Sequence, residues 1–367
     1  MKKLCIIYGT APKYREAIFR AIDSEYDCDW LFGETKTDIR EMDISQLKHA
    51  KYYKSYGDST KIYWQGGIFP ALFSKKYRNY LVLAETRSVS FWLAVFIKKL
   101  FFQRKKFYGW SHGWYGKEGH THKLLDRLKI KCIDGLFVYN RRSRQLMIDG
   151  GIDEENIFVI GNSLDYDRQL ELRNSLAPSD IFTAHFNNDN HTLLFIGRLT
   201  KVKRLDLFIE AVRILKEKGK NFNVVLVGDG EQKEQLQQLC KCYEIPVWFF
   251  GACYDEATNA ELVYNSDLCV SPGNIGLTAI HSLMFGTPAI TNNDLAHQMP
   301  EFEAIIPGRT GDFFEVNNPS SIASCVENWF AKHKEREIIR HYCYEEIERQ
   351  WNPRYQMGVL KENLKLV

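Results

Sequence analysis

The feature that most constrains this chain is the alternation of strand-length apolar runs with helical patterns over most of its length. Such alternation builds βαβ units, and these build parallel sheets covered by helices on both faces. In the first half, Leu4 to Tyr8, Trp30 to Phe32, Tyr80 to Ala84, Lys106 to Trp110, Gly135 to Tyr139 and Ile157 to Ile160 read as strands. A helix from about Lys13 to Ile22 follows the first, with Pro12 suited to its first position and Ala17, Ile18, Ala21 and Ile22 on one face. A polar stretch rich in Asn and Asp begins at about Asp165, and the alternation restarts beyond it. Strands are expected there at Thr192 to Ile196, Asn223 to Val227, Val247 to Phe250, Leu268 to Val270 and Ala289 to Thr291, with helices at Arg204 to Lys216, Gly230 to Lys241 and Leu277 to Phe285. At 367 residues the chain exceeds the size at which a single core stops growing, so the expected fold class is α/β with two Rossmann-like domains. The domains read as 1–165 and 191–340, joined by a linker at 166–190, with a last helical segment at 341–367.

Bulk properties exclude several classes. Hydrophobic residues at 45% and charged ones at 26% give ordinary globular composition, and a formal net charge of +3 is too near balance to imply a nucleic-acid partner. The N-terminal apolar run is too short for a signal peptide, and no run is long enough to span a bilayer. Nine cysteines without a CxxC pair or a matching His spacing read as reduced thiols in a cytoplasmic protein, and no metal site is expected. Ser90 to Lys106, SFWLAVFIKKLFFQRKK, is aromatic, aliphatic and basic at once. Two readings stand: a peripheral contact with an anionic membrane surface, or a crossover helix that buries Trp92, Leu93, Val95 and Phe96 while Lys98, Lys99, Arg104, Lys105 and Lys106 decorate its end.

In open parallel sheets, ligands bind beyond the carboxyl ends of the strands. Three turns in the second half share one character there: Gly197-Arg198-Leu199-Thr200-Lys201-Val202-Lys203-Arg204, Gly228-Asp229-Gly230, and Ser271-Pro272-Gly273-Asn274-Ile275-Gly276. A glycine-rich turn feeding a helix presents backbone N–H groups and a positive helix dipole, which favour a phosphate. Arg198 and Lys203 add a guanidinium fork and a point charge suited to a diphosphate, with no Mg²⁺ required. Each signal alone also fits a solvated helix start or a plain turn; their recurrence after successive strands favours the diphosphate. The first strand turn has Gly9 without a second glycine, so the dinucleotide fingerprint of dehydrogenases is missing. Gly9 and Thr10 at that edge suit close approach of a phosphate or acceptor to the backbone.

GRLTKVKRLDLFIEAV, VVLVGDGEQKEQL, FFGACYDEATNAELVYNSDLCVSP and GLTAIHSLMFGTPAIT, in this order, resemble the nucleotide-binding half of retaining glycosyltransferases of the GT-B fold. VIGNSLD at 159–165 and PEFEAIIPGRTGDFF at 300–314 extend the resemblance. It implies two Rossmann-like domains with an interdomain cleft, an acceptor-binding N-terminal domain, and a C-terminal helix (341–367) that returns to it. It implies a nucleotide-diphosphate sugar as donor substrate, no cofactor, and roles for Arg198 and Lys203 on the diphosphate. The family's glycine turn and helix start, which cradle the same phosphates, map onto Ile275, Gly276, Leu277 and Thr278, beside Gly197, Gly228 and Gly230 of the turns read above as phosphate-binding. His112, in Tyr108-Gly109-Trp110-Ser111-His112-Gly113, fits the cleft histidine near the donor sugar, or a plain loop histidine; His120 and His122 read as solvent-facing or acceptor-side.

The chain departs from the family at two glutamates eight positions apart. Gly273 and His281 stand there, leaving donor-sugar contacts to Asn274 or the backbone, and a ribose contact to His281, which equally fits a partly buried helix histidine. The implied function is metal-independent, retaining, hexosyl-type transfer onto a saccharide or lipid-linked saccharide in surface polysaccharide assembly, in the cytoplasm or on the inner membrane face. The departure leaves two rivals: a sugar-nucleotide-binding protein with weak or no catalysis, and an epimerase, disfavoured because these positions are poor in the Asp and Glu that proton transfer needs.

Overall fold

The computed structural model describes residues 3–34, 40–58 and 61–367. The chain forms two compact units, Met1–Asp165 with Asn352–Val367, and Tyr166–Trp351.

The first unit is built on an eight-stranded sheet: β1 (Leu4–Tyr8), β2 (Cys28–Glu34), β3 (Ala50–Asp58), β4 (Ile62–Gln65), β5 (Asn79–Leu83), β6 (Lys106–Ser111), β7 (Gly135–Val138) and β8 (Ile157–Val159). Their order is β4-β3-β2-β1-β5-β6-β7-β8, parallel except for the antiparallel β3–β4 pair. Strand β1 is buried at all five positions, as a central parallel strand covered on both faces must be. Strands β3 and β4 are absent from the sequence expectation for the converse reason. They lie at the sheet's edge, β4 alternates exposed and buried, and lysines interrupt the apolar signal of β3. The reversal of order between β1 and β5 puts the turns after these strands at a crevice of the kind where open α/β sheets bind ligands.

The helix Val89–Phe101, capped by Ser88 Oγ accepting the Phe91 N–H, corrects the expected inward face. Phe91, Ala94, Val95 and Lys98 face inward, while Leu93 and Phe96 are 44% and 45% exposed. The large side chains suggest one stripe, but small Ser90 and Ala94 allow the helix to seat closely on the sheet by the adjacent stripe. Lys98 is buried rather than decorative: its Nζ lies 2.6 Å from Asp134 Oδ2, and the same carboxylate takes Lys106 Nζ at 3.0 Å and the Phe107 N–H at 2.8 Å. Two cations and an amide hold Asp134 below the usual carboxylate range against the opposing effect of its burial. No helix among the described residues is long and apolar enough to cross a membrane.

The second unit carries six parallel strands, β9 (Thr192–Ile196), β10 (Asn223–Val227), β11 (Val247–Gly251), β12 (Leu268–Ser271), β13 (Ala289–Asn292) and β14 (Gly311–Phe314), in the order β11-β10-β9-β12-β13-β14. That is the doubly wound nucleotide-binding order, with its reversal between β9 and β12. Residues 166–190, expected as a linker, contain the helices Tyr166–Ser175 and Ile181–Phe186, which dock on this unit: Gln169 Nε2 donates to Glu256 at 2.7 Å, and Ser179 Oγ to Glu261 at 3.0 Å. The helix Arg336–Gln350 belongs to the second unit, while Pro353–Asn363 packs in the first against the helix Glu16–Glu25. Ser163 Oγ anchors it by donating to Gln356 Oε1 at 2.6 Å.

Candidate functional site

At the reversal point of the second sheet, the ends of β9 and β12 bring together the segments marked by sequence. Leu199 N–H donates to Asp229 O at 2.9 Å and Gln232 N–H to Leu199 O at 3.0 Å, so the turns after β9 and β10 are stitched edge to edge. Gly228 sits at φ +144, and a Cβ there would lie 1.9 Å from Gly197 O; only glycine permits this approach. Several expected amide donors are committed within the protein. Gly197 N–H donates to Val227 O, Gly228 N–H to Gly251 O, Gly230 N–H to Asp229 Oδ1, and Ile275 N–H to Gln298 Oε1 at 2.8 Å. In this structure these four amides hold the turns in place. The amides of Gly276, Leu277 and Thr278 stand instead at the start of the helix Leu277–Met284, which has no side-chain cap. Thr278 Oγ1 ties that start to the end of β9 by donating to Ile196 O at 3.2 Å.

Two cations converge on the same end of the sheet. Arg198 is exposed, and its side chain makes no hydrogen bond or ion pair among the described residues. Lys203 is partly buried, and its Nζ donates to Asn274 O at 2.7 Å and Asn274 Oδ1 at 2.9 Å, fastening the 200–203 turn to the turn after β12. Burial, with the nearby Arg198 charge, pushes the Lys203 ammonium below its usual range. Two like charges held together beside an uncapped helix start make a place where an anion is stabilised.

His281 lies on the helix beyond this turn, mostly buried, with its ring edge-on to Phe285. Its Nε2 is 3.1 Å from Glu256 Oε1, the oxygen that also accepts from Gln169. Burial raises the Glu256 carboxyl while His281 and Gln169 outweigh it, leaving it below its usual range. The sequence does not single out Glu256, because it comes from the separate helix Glu256–Asn265 and only folding brings it to His281. Gln298 and Glu301 are likewise missed: Gln298 bridges Ile275, Thr291 and Asn292, and buried Glu301 places Oε2 3.9 Å from where a Cβ on Gly276 would stand. No three His, Cys, Asp or Glu side chains among the described residues are grouped to hold a metal.

In the first unit, His112 follows β6, with its ring 4.7 Å from that of Tyr139 and its carbonyl accepting from Ser143 Oγ at 3.0 Å. Around it stands a group that sequence analysis misses. Arg15 is 3% exposed, donates to the Tyr139 hydroxyl, and sits among the rings of Tyr8, Tyr14, Trp110 and Tyr139 with no carboxylate partner among the described residues. Burial together with the charges of Arg15 and Arg87 pushes His112 down to about 4, so its imidazole is neutral at neutral pH. The unfolded chain takes up this proton near pH 6.5 and the folded one only near pH 4, so the group's contribution is present above pH 6.5 and lost as pH falls between those values. His112→Asn is therefore expected to flatten the acid limb of a urea-melt series by on the order of 1–3 kcal/mol. An unaltered pH dependence would contradict the neutral assignment. His120 opens the helix His120–Ile130, and His122, one position into it beyond Thr121, lies beside Asp126 with Nε2 3.3 Å from Oδ2.

The family described as glycosyl transferases group 1 matches residues 178–346, the body of the second unit. The chain is 31% identical over 137 residues to a GDP-mannose-dependent alpha-(1-6)-phosphatidylinositol dimannoside mannosyltransferase of Mycobacterium tuberculosis, a match spanning 36% of this chain and 34% of that protein. It is 20% identical over 250 residues to the capsular polysaccharide biosynthesis glycosyltransferase CapM of Staphylococcus aureus, spanning 62% of this chain and 60% of that protein. The chain thus spans about a third of the first relative's length, and somewhat under two thirds of the second's. Among solved structures, a glycosyltransferase from Rickettsia africae superposes with a TM-score of 0.74 at 16% identity, and Anabaena Alr3699/HepE in complex with UDP and glucose with 0.70 at 16% identity; each match covers 100% of both chains. The chain therefore has the GT-B fold, two parallel-sheet α/β units, with a glycosyl transferases group 1 segment at residues 178–346.

Proposed function

We propose that the chain transfers a hexosyl unit from a nucleotide-diphosphate sugar to a saccharide or lipid-linked saccharide, with anomeric retention, without a metal, in surface polysaccharide assembly. The observation that carries this reading is the convergence of Arg198, Lys203 and the uncapped start of the helix Leu277–Met284 at the reversal point between β9 and β12. In it, Arg198 grips the donor phosphates bidentately, and Lys203 leaves Asn274 to meet the second phosphate. As the glycosidic bond to the diphosphate breaks, these cations and the amides of Gly276, Leu277 and Thr278 take up the developing negative charge. Partial burial and the nearby Arg15 and Arg87 charges keep the His112 imidazole neutral, so it offers the donor sugar a hydrogen bond without adding a charge. His281, oriented by Glu256, serves the ribose hydroxyls, and Asn274 the donor sugar.

The relatives named for glycolipid mannosyl transfer and capsular polysaccharide biosynthesis, and the neighbour solved with UDP and glucose, support this class of reaction. A cytoplasmic protein at the inner membrane face, touching it through residues 90–106, suits a lipid-linked acceptor; the exposed Leu93, Phe96, Leu100 and Phe101 of that stretch support this placement. The second reading, donor binding without turnover, is favoured by one feature, the glycine and histidine at 273 and 281 where the family carries glutamates. Calorimetric titration with UDP, GDP, ADP and dTDP, with and without EDTA, tests the site. One nucleotide is expected to bind with an affinity that EDTA leaves unchanged. Binding of none, or binding only with divalent metal, would contradict the proposal.

A further inference from the structure

The side of β6 opposite His112 carries a cavity of about 300 Å³ within the first unit, lined by Thr86, Trp92, Ser111, Tyr115, His122 and Asp126 among others. Side chains alternate along a strand, so Ser111 faces the helices Val89–Phe101 and His120–Ile130 while His112 faces Arg15 and Tyr139. The cavity is therefore a separate feature at the same edge of the sheet.

We propose that this cavity is a saccharide site that takes one pyranose residue, its C–H face against the aromatic wall and its hydroxyls on the His122–Asp126 pair. Three observations select that ligand class. The first is an aromatic wall of fixed orientation: the Trp92 Nε1–H donates to Glu85 O at 3.1 Å and Thr86 O at 3.2 Å, so the indole cannot swing away. The second is the polar pair. Asp126 is buried, accepts from Trp114 Nε1 at 2.9 Å, and lies 3.3 Å from His122 Nε2. With Nε2–H turned to the carboxylate, Nδ1 is left as an acceptor for a ligand hydroxyl, and the His122 side chain has no contact with a polar group other than Asp126 among the described residues. The third is charge. The buried Asp126 carboxylate disfavours an anion, no arginine lines the cavity, and its lining lysine, Lys117, lies over the Tyr115 ring at 5.3 Å; Lys129, outside the lining, lies over Trp92 at 4.5 Å and 3.8 Å from Asp126. Apolar walls with a few converging hydroxyl partners and no net anion clamp suit a neutral polyol ring, and the volume stands at the small end of ligand pockets.

The cavity is also preformed. Glu118 clamps its loop by accepting the Tyr115 and Gly116 N–H groups at 2.7 and 2.8 Å, and Gly113 takes φ +70 where a Cβ would lie 2.0 Å from Ser143 Oγ. A ligand then binds without ordering the loop. Naming the occupant as the acceptor's terminal sugar rests on the transferase reading; saccharide binding itself does not.

The test titrates the full chain with methyl glycosides of glucose, galactose, mannose and N-acetylglucosamine, with uridine, adenosine and inorganic phosphate beside them, reading saturation-transfer NMR and tryptophan fluorescence. At least one glycoside is expected to saturate, its affinity to fall tenfold or more in His122→Ala and in Trp92→Leu, and to survive largely in Trp92→Phe. Saturation by none of the glycosides, preference for a nucleoside or phosphate, or a glycoside affinity indifferent to His122→Ala would overturn the proposal. Nucleotide-diphosphate titration of the same variants reports on the other unit. Glycoside binding without any nucleotide binding would remove the transferase reading and leave the saccharide site standing.

Discussion

Arg198→Ala is expected to weaken nucleotide-diphosphate binding by about a hundredfold or more while leaving the melting temperature within about 1 °C of the parent. The two halves of this result have separate physical origins. The side chain is exposed and makes no hydrogen bond or ion pair among the described residues, so the folded state loses almost nothing when it is removed. Its charge-assisted hydrogen bonds to phosphate, made where Lys203 already concentrates positive charge, are each worth roughly 1.5–3 kcal/mol. Lys203→Met is expected to differ in kind. It removes a cation and also the two hydrogen bonds to Asn274, so it lowers both affinity and thermal stability. Calorimetry and thermal melts on the pair of variants check this contrast; an Arg198→Ala protein with parental affinity would move the phosphate site elsewhere.

Placing a glutamate at position 273 is expected to damage the protein. A Cβ on Gly273 would lie 2.1 Å from Val202 O and 2.7 Å from Lys203 Cα, and the Gly273 N–H donates to Lys203 O at 2.9 Å. The backbones of the two ligand turns are in direct contact there, and neither is a flexible side chain that can give way. Any larger residue must push the 200–203 turn off, so Gly273→Ala and Gly273→Glu should each cost about 3 kcal/mol or more, as severe overpacking does. They should also displace Lys203 from Asn274, so nucleotide affinity falls with stability. Denaturant melts and nucleotide titration measure both. A stable Gly273→Glu protein with parental nucleotide affinity would show that the turn adapts and would contradict this packing argument.

What position 273 tolerates is thus a matter of packing, and packing is what a sequence reveals least. The strands of both sheet centres are legible because buried parallel strands are continuous apolar runs; Thr192–Ile196 and Asn223–Val227 match to the residue. The last two strands at one end of the first sheet, β3 and β4, are not, since exposed and polar residues break the apolar run. Lys98 reads as a surface cation because its partner Asp134 comes from a different βα unit. The same limit applies at the candidate sites. Arg198 and Lys203 carry their chemistry in their residue types, beside glycines that follow a strand. Arg15, Glu256 and Gln298 act only through what folding places next to them, and nothing in their local sequence marks them. The glycine turns were legible as turns, but whether their amides face a ligand or a neighbouring loop depends on hydrogen bonds such as Ile275 N–H to Gln298 that no local pattern encodes.

The most direct test of the central claim is a mass-spectrometric assay of the purified chain with UDP-, GDP-, ADP- and dTDP-hexoses, in EDTA, following released nucleotide and glycosylated acceptor together over a panel of saccharides and lipid-linked saccharides. The account predicts that one donor yields nucleotide and glycosylated product in equal amounts, with the yield abolished by Arg198→Ala. Donor that binds tightly yet releases no nucleotide with any acceptor would contradict transfer and leave a sugar-nucleotide-binding protein.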